Sequence, residues 1–159
     1  MISWLLLALE LFKPSVHWNA EIANRVQQSI GIAIDAAREF DENPFVLLAI
    51  ATYETEINNH RGGTGYCCWG VGQVYWEMHE NTLKKEKIAS QARDLLRPEV
   101  GFRTMAHVLA KSDQTAPLKR RLCAYGVGLT PMFQKWTTCP YAEEVVKMLP
   151  RVALAWVMK

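Results

Sequence analysis

Strand-type alternation of apolar and polar residues is nearly absent from this sequence, which argues against any sheet-centred fold. No apolar run reaches the roughly 20 residues that a membrane-spanning helix needs. Basic residues are not gathered into a stripe. The longest cluster is Lys119-Arg120-Arg121, the formal net charge is +2, and no nucleic-acid partner is expected. A solvated helix face accounts for that triplet. C-x-x-C and paired-histidine spacings are both missing, so no zinc pattern is present and no metal is expected. Repeats, low-complexity stretches and linkers are missing as well. What remains is 159 residues, 50% apolar and 21% charged, the composition of one globular domain covering residues 1–159.

The N-terminal stretch MISWLLLALELFKP superficially resembles a signal peptide, but no basic residue precedes its apolar run, Glu10 interrupts it, and no small-x-small site follows. Trp4, Leu5, Ala8, Leu9 and Phe12 recur at helical spacing, so a buried first helix is expected, with a membrane-surface or virion contact through residues 1–13 as the alternative. Cys67 and Cys68 are not expected to bond each other. Disulfides, if present, would join them to Cys123 and Cys139; four reduced thiols is the other reading.

Helical signals organise the rest into an all-α domain. An amphipathic segment runs from about Asn19 to Phe40. Asn43-Pro44 is an N-cap followed by a first-turn proline, opening a helix through Glu54. Residues 58–72, with five glycines, read as loop. Short helices are expected at Val74 to His79 and near Lys87 to Leu96. Pro98 opens the next, Pro117 starts a segment to Tyr125 that Gly126 and Gly128 end, and the last runs from Tyr141 to Met158 with a kink at Pro150.

The stretch AIATYETEI (49–57) raises a chemical question, because an apolar helix runs into two acids. Three, four and seven residues before Glu54 stand Ala51, Ile50 and Leu47, an apolar face; Glu56 follows the more mixed Tyr53, Thr52 and Ala49. Burial raises a carboxyl pKa, as a general acid near neutral pH requires, so Glu54 is the catalytic candidate and Glu56 the solvated one. The plainer alternative is that Glu54 caps amides or pairs with Arg61. Farther on, Trp69-Gly-Val-Gly-Gln-Val74 is a glycine-punctuated turn bearing Gln73, whose amide can both donate to and accept from sugar groups. Cys-Ala-Tyr-Gly-Val-Gly (123–128) sets Tyr125 at a helix end.

In this order the pieces resemble the lytic transglycosylase family, relatives of goose-type lysozyme. LLAIATYETEI resembles the family's apolar helix ending in Glu-Ser, with Glu54 at the catalytic position and Thr55 replacing serine. GVGQV resembles its Gly-Leu-Met-Gln turn, with Gln73 as the glutamine and Gly72 replacing methionine. DLLRPEVGFRTMAHVLA is similar to its Asn-(Leu/Ile)-x-x-Gly segment, with Asp94 in place of asparagine. CAYGVG resembles Ala-Tyr-Asn-Ala-Gly, with Tyr125 as the tyrosine and Gly126 replacing asparagine, and YAEEVVKML resembles the final Tyr-Val-x-x-Val helix. The resemblance spans roughly residues 43–149.

It implies a lysozyme-like helical domain that cleaves the β-1,4 bond between N-acetylmuramic acid and N-acetylglucosamine in peptidoglycan glycan strands. A two-carboxylate glycosidase needs a second acid roughly 5–9.5 Å from the first. None occurs between Glu56 and Glu77, which favours a one-carboxylate route ending in a 1,6-anhydro sugar, without cofactor. Gln73 and Tyr125 would hold the sugar or steer Glu54, Thr55 would support the site, and Tyr66, Trp69 and Trp76 are candidates to stack on sugar faces or to serve the core. The alternatives are a hydrolytic goose-type lysozyme helped by Glu56 or Glu77, and a non-catalytic wall-binding or virion structural protein. Small size and the lack of an export signal imply a bacteriophage endolysin or virion component acting at the bacterial cell wall or periplasm; a bacterial enzyme exported by other means is the alternative.

Overall fold

A computed structural model describes residues 18–58, 61–62, 67–127 and 139–157, and everything below concerns these. The expected first helix with residues 1–13, Gly128 and Tyr66 lie outside them. The described chain is mainly helical, with six α-helices, one 3-10 helix and a small antiparallel sheet.

Helix α1 (Ala20–Phe40) starts where Asn19 accepts a 2.9 Å hydrogen bond from the Ile22 amide, and ends at Asp41 in the left-handed region. Its buried stripe is Ile22, Val26, Ile30, Ala33 and Ala37, the spacing of one helical face. Helix α2 (Pro44–Thr55) is capped by Asn43, which accepts from the Phe45 amide at 2.9 Å. Every residue from Val46 to Thr52 is buried, so α2 is the central helix and has no wet face.

Strands β1 (Arg61–Gly62), β2 (Cys68–Trp69) and β3 (Val74–Tyr75) pair antiparallel in that order, with Cys68 opposite Tyr75 and Trp69 opposite Val74. This corrects the expected loop over 58–72. It also moves the start of the next helix: Val74 and Tyr75 are held in the ladder, so α3 spans Trp76–Lys85. Lys87 adopts φ 56° and the Ile88 amide bonds back to Leu83 O at 2.9 Å, which closes α3. The helix expected from Lys87 is therefore only a 3-10 turn, Ala92–Leu96. Asp94 sets its start, accepting from the Ser90 and Gln91 amides at 2.9 and 3.1 Å. The Ser90 hydroxyl, donating at 2.8 Å, and then these amides hold the Asp94 carboxyl down at about 2.

Helix α4 (Pro98–Ala110) lies against α1, α5 (Leu118–Val127) against α6 (Pro140–Val157), and α6 against α2. Pro150 is accommodated inside α6. The main core gathers residues from α1, α2, α4, α5 and α6. A smaller one, around Trp76, Leu83 and Leu95, sits under the sheet, and Tyr125 packs on both.

The cysteines correct the sequence expectation. Cys67 bonds Cys68, and Cys123 bonds Cys139. The cross-pairing fails because the packing of α5 on α6 brings Cys123 and Cys139 to a Cα separation of 6.0 Å, leaving the neighbouring pair to close on itself at the entry to β2.

Candidate active site

The C-terminal end of α2 gives the two acids different surroundings. The helix stops at Thr55, and Glu56 takes a left-handed conformation (φ 53°) with an exposed side chain, contacting Arg25 at 3.4 Å. Glu56 is thus off the helical lattice, and helix termination separates the two acids more sharply than face polarity does. Glu54, one residue inside the helix end, opens onto a cleft of about 490 Å³ that Gln73 and Tyr125 also line. Burial raises its carboxyl pKa from 4.5 to about 7. The Tyr141 phenol, itself buried, draws it part of the way back.

Three features fasten the glycine turn beside this acid. Gly70, at φ 72°, presses so closely on the Leu95 carbonyl that any β-carbon would collide with it. The amide and side-chain nitrogens of Gln73 both donate to Gly70 O, at 3.1 and 3.0 Å, closing the turn. Tyr125 donates from its hydroxyl to Gly72 O at 2.7 Å. A β-carbon on Gly72 would lie 2.5 Å from that hydroxyl oxygen, so glycine here makes room for the clamp. Burial holds the Tyr125 phenol well above 10, and it stays a donor at any working pH.

Thr55 is buried and its hydroxyl lies 3.1 Å from both Ala51 O and Val71 O, joining the acid's helix to the turn. It lies behind the cleft wall and does not line the cleft. Trp69 and Trp76 pack with the smaller core and do not line the cleft.

Sequence reasoning missed Tyr75, Met78 and His79, all on the cleft wall. Pairing of Tyr75 with Cys68 across the sheet was the signal, invisible while residues 58–72 read as loop. His79 is pushed below the usual imidazole range, first by burial and then by His107, and is neutral at pH 7. The cations on the wall, Lys111 and Arg121, are engaged by Glu86 at 3.1 Å and by Glu42. Glu54 is the cleft's single carboxylate among the described residues. No grouping of histidines, cysteines and acids suited to a metal occurs among those residues.

Compared with protein-family models and with curated proteins, the sequence matches none.

Proposed function

We propose that this chain is a peptidoglycan-cleaving lytic transglycosylase with a lysozyme-like domain, and that Glu54 is its acid and base. The observation that carries the reading is a lone carboxyl, raised to about 7 by burial, on one cleft with Gln73 and Tyr125.

At neutral pH a large fraction of Glu54 is protonated and able to give its proton to the glycosidic oxygen between N-acetylmuramic acid and N-acetylglucosamine. The bond breaks with the electron pair leaving on the N-acetylglucosamine oxygen. The carboxylate so formed then takes the proton of the muramic acid 6-hydroxyl as that oxygen closes onto C1. The product is a 1,6-anhydro ring, and Glu54 ends protonated, ready for another cycle. No water is consumed, so no second carboxylate is needed to activate one. The segments 57–76 and 128–138 contain no Asp or Glu, so neither can bring a second acid to the cleft.

Peptidoglycan glycan strands are the substrate in this reading. Two disulfides suit a protein working outside a reducing cytosol, in keeping with a phage endolysin or virion component that meets the wall from periplasm or exterior. Digestion of purified peptidoglycan followed by mass spectrometry is the test. Anhydro-muropeptides from the wild type and none from Glu54→Gln are expected. Reducing ends in their place point to the hydrolytic lysozyme, and digestion unaffected by Glu54→Gln removes the assignment altogether.

A further inference from the structure

The acid chemistry above makes no use of the Cys67–Cys68 disulfide, although that pair lines the cleft with Glu54. Joining neighbouring cysteines closes a small ring through the intervening peptide. Its sulfurs have no hydrogen to donate and no rotamer left to lose. Cys68 stands directly opposite Tyr75 across the β2–β3 ladder, so the two side chains share a face. Tyr75 is 45% exposed, and Met78, three residues on, is 65% exposed; both also line the cleft. They are two of the three large apolar side chains exposed among the described residues. Exposed apolar side chains on the wall of a cleft suit a ligand contact.

A pyranose in β-1,4-linked glycan matches such a wall, because its axial C–H groups form an apolar face and its polar groups lie around the edge. We propose that the Cys67–Cys68 ring, extended by Tyr75 and Met78, is the platform on which one sugar of the strand lies while Glu54 addresses the glycosidic bond. This rests on the peptidoglycan reading and adds to it a redox condition. A dithiol reductant passes two electrons and two protons to the sulfurs, the Cys67–Cys68 bond breaks into two thiols, and the reductant closes to its own disulfide. The freed thiols regain rotamers, which binding must then freeze. The Cys123–Cys139 bond is not on the cleft wall and serves as the control.

Calorimetric titration with an N-acetylglucosamine hexamer tests this on the full chain, alongside initial rates on purified peptidoglycan that separate KM from kcat. Cys67→Ala/Cys68→Ala is expected to raise Kd and KM about fivefold, with kcat within about twofold of wild type. Cys123→Ala/Cys139→Ala leaves Kd unchanged. Tyr75→Ala, on the same wall but outside the ring, moves Kd in the same direction and decides the matter should the double cysteine variant fail to fold by circular dichroism. Wild-type affinity in either wall variant, with normal cleavage by the wild type, overturns the platform and leaves the Glu54 reading standing. A wild type that neither binds the hexamer nor cuts peptidoglycan overturns both.

Discussion

The Thr55 hydroxyl lies 3.1 Å from the Val71 carbonyl oxygen, tying the residue after Glu54 to the turn that carries Gln73. It faces Ala51 O at the same distance, so one proton is shared between helix and turn. Thr55→Val keeps the shape and deletes the donor, leaving a buried carbonyl short of a partner. The expected cost is about 1–2 kcal/mol in urea unfolding, together with slower wall lysis. Thr55→Ser should restore both, and equal defects in the two variants would mean that the methyl group matters and the bond does not.

Gly72 and Tyr125 form a second such relationship, and it is steric. Gly72→Ala puts a methyl group 2.5 Å from the Tyr125 hydroxyl oxygen and 3.1 Å from Met105 Sδ, so it should destabilise by about 1–3 kcal/mol. Tyr125→Phe removes the oxygen that is struck. The double variant is therefore expected to be less destabilised than the sum of the singles, by about 1 kcal/mol or more. Additive effects in a double-mutant cycle would refute the clamp.

Glu54 makes both activity and stability depend on pH, with a definite sign. Its folded pKa, about 7, lies above the 4.5 of an unperturbed glutamate, because burial penalises the ionised form. Between those values the folded state holds more protons than the unfolded one, so stability is greatest below 4.5 and falls as pH rises through 7. The interval corresponds to about 3 kcal/mol lost by pH 8. Glu54→Gln should accordingly melt at higher temperature than wild type at pH 8, with little difference at pH 4.5. Cleavage by wild type should decline above about pH 7 as the acid form is lost. Identical pH–Tm curves for the two proteins would show the carboxyl to be solvated.

Tyr141→Phe probes the same group from its neighbour. The phenol lowers the Glu54 pKa, so its removal should move the alkaline limb of the rate profile to higher pH. Where Glu54 is protonated stability should hold, and above pH 7 it should fall, because the phenol favours the buried carboxylate. A limb that shifts to lower pH, or does not move, contradicts the contact.

Several features were legible in the chain because their causes are local. Asn43 announces its helix because a side-chain oxygen that can reach the second or third amide acts within one turn. Pro98 opens α4 for the equally local reason that its missing N–H has no partner to lose. Glu54 stands out in the chain through the apolar residues behind it, and burial of Val46 to Thr52 with the left-handed turn at Glu56 gives the fuller reason for its partial burial. Whether Trp69 would meet a ligand or join the core stayed open in the chain, because the surroundings of a two-residue strand are set by the fold. The glycines at 72 and 126 look like losses against the resembled motifs. In the folded chain a β-carbon at 72 would strike the Tyr125 hydroxyl, and one at 126 would strike the Tyr141 ring.

By itself, then, the amino-acid order determined the helical class, the starts of the helices that Asn43-Pro44 and Pro98 open, and the acid with apolar neighbours, since each follows from contacts within about one or two turns of chain. The disulfide pairing, the small sheet, the cleft wall of Cys68, Tyr75 and Met78, and the raised pKa of Glu54 were decided only in three dimensions. Each depends on how closely segments distant in sequence approach, and on how much water that approach removes.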